Sequence, residues 1–423
     1  MVASAVKGNE FDVIIVGSGT CGATIARELT RHKKRVLILE RGPDLALQEN
    51  LRGIVAIADE VRVGDQLKTT RALTTGGSTG LYFAVAMLPS LEMFRSLGID
   101  LSAELAEAKR ELPIAQLPDE LLGPQALRLR KSALELGYAW KNNEMLIDQS
   151  KCSSGYCYEA KWKARDYVQD AIRDGATLVN RATVLKVLVE NNRAVGVEYK
   201  VKGSGVARSY GAKIILAAGS LATPKILMDS GVDDFTGRGF YCDPGFVMFG
   251  SVPGLKARDN FVGCMTADLD EDIALGDANL PAIYYRLMML SKLKLRQVFS
   301  FSDGIAVGVK VKDARGGALR EDGSYRKQLG DKESKKLQKG EEAAVKILKN
   351  AGAKRIFHSG LFVGGHVGGV IKLNQDVDAK FETRCADLHV CDGSLLTEEM
   401  RMTPAITLVC LGKYLAKHLV ASL

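Results

Sequence analysis

The chain has 423 residues, of which 46% are hydrophobic, 26% charged and 43 glycine. That length can bury a large core and exceeds a usual single domain, so two domains are expected, interleaved or consecutive. The net charge of +8 comes from Lys and Arg spread along the chain, which argues for a solvated surface and against nucleic-acid binding while leaving anionic substrates and membrane surfaces open. No run of about 20 apolar residues offers a transmembrane span. The opening MVASAVKGNE lacks the apolar core of a signal peptide, so the expected location is the cytoplasm.

The first element signal runs from Phe11 to Gly42. An apolar strand, Val13 to Val16, enters Gly17-x-Gly19-x-x-Gly22; an amphipathic helix and a second apolar run, Val36 to Leu39, follow, ending in Glu40. This order fits a strand-helix-strand dinucleotide site: Gly17 for the tight turn, Gly19 for close approach of a pyrophosphate, Gly22 for helix packing, and Glu40 for a ribose hydroxyl. The motif alone does not separate NAD from FAD. Next, Gly76-Gly77-Ser78-Thr79 offers backbone that can pass close to a flat or charged ligand, with hydroxyl donors beside it; a polar surface loop is the plainer reading. Leu101 to Trp140 has helical spacing broken by Pro113 and Pro118, as in a helical insertion.

From Ala164 the alternation of helix and strand returns. Ala164–Asp174 is expected as helix, Ala176–Val179 as strand, and Val184–Glu190 with Ala194–Lys200 as a hairpin about Asn191-Asn192. Lys213 to Gly219 reads as a buried strand entering a glycine turn, with a helix to Asp229 opened by Pro224. Phe240 to Gly308 is the least legible part. Within it, 280–301 is apolar with Arg286, Lys292, Lys294 and Arg296 interleaved. The favoured reading is an internal element with a solvated basic face; the alternative is an amphipathic element in peripheral contact with a membrane or covering an apolar channel. Lys312–Lys339 reads as exposed loops and Glu341–Asn350 as helix.

Near the end, His366 stands among four glycines, Gly364, Gly365, Gly368 and Gly369, in a chain with five histidines. Such a run suits backbone approaching a ligand with the imidazole presented to it. A strand then ends in Asp392-Gly393-Ser394, and Thr403-Pro404-Ala405 opens the last helix, whose positive end would favour a flavin carbonyl. The eight cysteines, Cys21, Cys152, Cys157, Cys242, Cys264, Cys385, Cys391 and Cys410, are scattered. Free thiols are the default, and Cys152-x4-Cys157 lacks the further ligands that a metal or iron–sulfur site needs, so no metal is expected.

Taken in order, these blocks resemble the glucose-methanol-choline (GMC) oxidoreductases. They are Gly17/Gly19/Gly22/Glu40, then Gly76-Gly77-Ser78-Thr79, then Gly219-Ser220-x-x-Thr223-Pro224-x-Ile226-Leu227-x-x-Ser230-Gly231-Val232, and last His366, Asp392-Gly393-Ser394 and Thr403-Pro404-x-x-Thr407. In the third block only Asp233 departs from the family signature, where glycine is expected. The resemblance implies an α/β fold: an FAD-binding Rossmann-like domain from 1–90, 151–240 and 355–423, with an inserted α+β substrate domain of antiparallel sheet and helices from 91–150 and 241–354. It implies Glu40 on the adenosine ribose, Val184 on the adenine, Gly77 and Ser78 along pyrophosphate and flavin, and Asp392 and Gly393 at the diphosphate and ribityl region. Ala405 would lie at the flavin N1 and O2 edge, with Gly76, Thr79, Ala218, Gly219 and Pro404 also lining the cofactor. Because no histidine follows Gly76-Gly77-Ser78, FAD is expected to be noncovalent.

The implied activity is oxidation of a small-molecule alcohol to an aldehyde or ketone, with hydride passing to flavin N5 and His366 as base. The electron acceptor is left open among a quinone, a protein and oxygen. Two positions depart from the family: Thr403 stands where a second catalytic His or Asn is usual, and Tyr82 where Asn is expected. The segment Cys152 to Trp162 resembles the branch acting on long-chain alcohols. Two alternatives use the same fold, a lyase that keeps FAD for structure and a membrane- or partner-associated electron-transfer subunit.

Overall fold

Val13–Val16 and Val36–Leu39 are apolar at every position because both faces of their strands are covered. The computed structural model, which describes residues 10–153, 155–363, 366–397 and 403–423, sets them in a parallel run. Its order is Thr177–Val179, Val36–Leu39, Phe11–Val16, the second half of Gly205–Leu216, and Leu388–Val390. The helices Thr20–Arg31, Ala164–Arg173 and Ala405–Ser422 pack together beside this sheet, and Gly412 lets the last helix approach the first at Thr24.

Gly205–Leu216 serves two pairings. Its second half runs parallel to Phe11–Val16, and its first half runs antiparallel to Arg193–Val201, which pairs in turn with Ala182–Glu190. Asn191 and Asn192 both take positive φ, 51° and 58°, in the hairpin turn, a conformation Asn tolerates. The strand thus begins at Gly205 rather than Lys213. Its first residues, Gly205 to Arg208, are mostly exposed and mix Val206 and Ala207 with glycine and arginine, so no apolar run announces them.

The second sheet is antiparallel, in the order Lys354–His358, Pro244–Ser251, Gly304–Val311, Ile273–Asp277, Met265–Asp268 and Lys141–Asn142. Phe362–Val363 also pairs with Pro244–Ser251, so the chain leaves this sheet only after residue 363, later than the expected return at 355. The stretch 91–150 divides between the two units. Helix Pro124–Glu135 binds the second, through Ser132 Oγ donating to the Ile347 carbonyl at 2.7 Å, whereas helix Ser102–Glu111 lies against the last helix.

A further expectation is corrected. Residues 331–340 are not loop but the first half of a twenty-residue helix, Asp331–Asn350. The charged, glycine-containing pattern that suggested a loop is its solvent face plus Gly340, whose missing side chain admits Val309: a Cβ there would stand 2.3 Å from Val309 Cγ1.

Candidate active site

Glu40, Gly17, Gly219 and Asp392 each fall just past the carboxyl end of a parallel strand. They therefore line one edge of the sheet, the edge where open α/β sheets hold ligands. Gly17 has φ 100°, and a Cβ there would meet the Ala217 carbonyl oxygen at 2.4 Å; one on Gly22 would meet the Gly17 oxygen at 2.0 Å. Gly19 faces open space, as does Gly219 at φ 89°. Gly77 comes so near that its Cβ would lie 2.9 Å from Gly19 Cα, so the two glycine pairs share one cradle.

Ser18, between the motif glycines, holds this cradle together. Its amide and hydroxyl donate to Glu40 Oε2 at 3.0 and 2.6 Å, and its Oγ accepts from the Gly76 amide at 3.1 Å. Glu40 Oε1 accepts from the Gly42 amide at 2.6 Å. With three bonds accepted, the Glu40 carboxylate keeps one lone pair for an outside hydroxyl. The glycine motif leaves position 18 free; its one signal is a small hydroxyl between two motif glycines.

The second glycine block divides by role. Thr79 Oγ1 donates to the Gly76 carbonyl at 2.7 Å and accepts from the Ala164 amide at 3.0 Å, so it ties the turn to helix Ala164–Arg173. Ser78 Oγ accepts from the Ala72 amide at 3.3 Å. Asp392 is buried and fully used: Oδ2 accepts from the Gly219 amide (2.8 Å) and Thr223 Oγ1 (2.5 Å), and Oδ1 from the Ser394 amide (2.8 Å) and hydroxyl (2.6 Å). Burial pushes its pKa up against these bonds. Gly393 sits against Ser220, Val184 is buried opposite Tyr199, and Ala218 is half-buried.

Two helix N-termini complete the edge. Thr20–Arg31 follows Gly19, and Ala405–Ser422 follows Pro404; neither has a side-chain cap or an acidic residue in its first turn. Their free amides and positive dipole ends favour anionic or carbonyl groups. Thr403 Oγ1 donates to the Val85 carbonyl at 3.1 Å, and the Tyr82 hydroxyl donates to the Trp162 carbonyl. Thr403 is thus bound to the loop that follows the second glycine block, and Tyr82, within that loop, ties it to Trp162. Glycines facing open space, uncapped helix ends and one spare Glu40 lone pair fit a dinucleotide such as FAD.

His366 lies where this edge meets the antiparallel sheet; Gly368 bridges to Tyr241, just before strand Pro244–Ser251. Its Nδ1 is 3.0 Å from Lys310 Nζ and 3.5 Å from Asp243 Oδ2, and Lys310 and Asp243 are 3.7 Å apart. Asp243 Oδ2 is buried without a hydrogen bond. Burial, then the Lys310 charge, push the imidazole pKa below its ordinary value against the pull of Asp243, which favours the neutral form. An ammonium can only donate. Facing Lys310, Nδ1 is an acceptor and Nε2 carries the proton; facing Asp243, Nδ1 carries it and Nε2 offers a lone pair. Gly364 and Gly365 lie outside the described residues. Cys152 and Cys157 are free, half-buried thiols.

The GMC oxidoreductase family model matches residues 11–244. An uncharacterized protein of Methanocaldococcus jannaschii is 24% identical over 426 residues, covering 97% of this chain and 100% of that one. Human mitochondrial choline dehydrogenase is 25% identical over 289 residues, covering 54% of this chain and 47% of that one, so the chain spans about half of that relative. Pyridoxine 4-oxidase from Mesorbium loti superposes with a TM-score of 0.75 at 15% identity, covering 97% of this chain and 99% of that one. The fold, the glycine-lined edge and the family match agree: this chain belongs to the GMC oxidoreductases, a family of FAD-binding enzymes.

Proposed function

We propose that the protein oxidises a CH–OH group of a small-molecule alcohol to an aldehyde or ketone, with noncovalent FAD and with His366 taking the hydroxyl proton. The observation that carries this reading is a half-buried imidazole held between Lys310 and Asp243, where the glycine-lined edge meets the second sheet. Bound FAD supplies the hydride acceptor. With Nδ1–H turned to Asp243, Nε2 accepts the hydroxyl proton as hydride leaves the carbinol carbon, and the imidazolium so formed rests beside a carboxylate. The imidazolium keeps Nδ1–H on Asp243, and its Nε2–H donates a hydrogen bond to the carbonyl oxygen. The choline dehydrogenase named among its relatives supports an alcohol as donor. Noncovalent attachment is supported by Gly76-Gly77-Ser78-Thr79, which contains no histidine.

The test is anaerobic titration of the FAD-loaded protein with aliphatic alcohols, sterols and sugars, read by loss of visible flavin absorption. One class should bleach the flavin. His366→Ala should keep FAD and slow reduction by about 10²- to 10⁴-fold; reduction at the wild-type rate would remove His366 from the chemistry. Flavin that no alcohol bleaches, yet dithionite reduces, would favour a non-redox or partner-dependent role. Reoxidation by oxygen, a quinone or a protein then identifies the acceptor.

A further inference from the structure

Leu293 and Phe299 are the most exposed large apolar side chains among the described residues, at 84% and 90% of their full surface, and they stand in one segment with Leu295 (61%) and Leu290 (47%). Helix Ala282–Ser291 leads into a turn and a short helix, Leu295–Val298. The inner face of the segment is anchored: Tyr285 and Met289 are buried in a small core with Val247, Phe249 and Ala306, and the Tyr285 ring meets Phe249 and Phe301 edge-on at 5.9 and 5.6 Å. The outer face is therefore held out in water by a fixed base. Leu293, at its tip, takes φ 55°, a left-handed conformation that a leucine adopts only under constraint.

Charge narrows the partner. Lys292, Lys294 and Arg296 alternate with Leu293 and Leu295, all exposed, and no Asp or Glu occurs from 280 to 302. Exposed Lys354 and Arg355 stand on the neighbouring strand, whose Phe357 ring lies 5.2 Å from Lys294 Nζ. None of these five cations pairs with a carboxylate among the described residues. A protein–protein interface clears charge from its centre. Here cations sit one for one between the apolar side chains, an arrangement that suits acyl chains below and anionic headgroups around them.

We infer that the face formed by residues 290–299 docks the protein peripherally on an anionic lipid bilayer, with Leu293, Leu295 and Phe299 inserting among the acyl chains. The experiment is flotation of the purified full chain with phosphatidylcholine vesicles, with and without phosphatidylglycerol. Binding is expected to the anionic vesicles and to weaken with salt. Leu293→Ser with Phe299→Ser should weaken it by at least about tenfold, and Lys292→Glu with Lys294→Glu should abolish the preference for anionic lipid. Because all four side chains are exposed, melting temperature should stay unchanged. No flotation by the wild type, or flotation of both double variants at the wild-type level, overturns the inference. So does a dimer in sedimentation velocity that Leu293→Ser with Phe299→Ser dissociates without any vesicle binding, which would assign the face to a second copy.

Discussion

At the residue scale, His366 is governed by two groups competing for one nitrogen. Lys310 lowers its pKa and Asp243 raises it, so their removal has opposite signs. Lys310→Met takes away a positive neighbour: the imidazole pKa rises, and the acid-side fall in kcat/KM moves to higher pH. Asp243→Asn removes the carboxylate that supports Nδ1–H and the imidazolium. That variant should shift the fall to lower pH and slow the chemical step by roughly tenfold or more, since a charge-assisted partner is lost. Single-turnover reduction across pH measures both, and equal shifts in one direction would separate these residues from the base. Thr403 makes a different case. Its hydroxyl already binds the Val85 carbonyl, so Thr403→Val should loosen the loop after Tyr82 and change KM more than kcat.

At the scale of elements, what could be read in the sequence was what geometry fixes locally. A strand, a glycine turn and a helix constrain neighbours within a few residues, so Gly17, Gly22 and the opening of the last helix were readable. Lys310 stands 56 residues from His366; nothing in the pattern around it, a lysine near the end of an apolar strand, marks it as a partner. Ser18 was hidden for another reason, as a small residue at a position the motif leaves free. Gly340 was misleading because glycine usually interrupts a helix, costing about 1 kcal/mol relative to alanine, and here that cost is offset by close packing. Gly340→Ala should therefore destabilise by about 1–3 kcal/mol through overpacking on Val309. Combining it with Val309→Ala should cost less than the sum, since one methyl fills space left by the other. Additive losses in chemical denaturation would show that the helix and strand do not press on each other there.

At the scale of the molecule, four helices that are remote in sequence are joined by one partly buried ion cluster. Lys413, 1% exposed, contacts Glu28 at 2.9 Å, Glu111 at 3.0 Å and Glu107 at 3.5 Å. Arg27 contacts Glu111 at 2.8 Å and Asp170 at 3.0 Å, and its guanidinium lies 4.0 Å over the Tyr167 ring. Glu111 ends the helix contributed by the inserted stretch, so the cluster fastens that stretch to the nucleotide-binding unit. Burial alone would raise the Glu111 pKa, but hydrogen bonds and charges from Arg27 and Lys413 outweigh it and bring it down to about 2, from an ordinary 4.5. A carboxyl depressed on folding stabilises above its unfolded pKa, and that contribution fades as pH falls from about 4.5 toward 2. Because Glu111 is partly solvated, screening discounts the contribution to about 1–2 kcal/mol. Glu111→Gln keeps the shape and removes the charge, so its deficit against wild type in denaturation should be full at pH 7 and shrink as the pH approaches 3. A deficit unchanged by pH would mean that Glu111 holds the four helices by packing and neutral hydrogen bonds rather than by its charge.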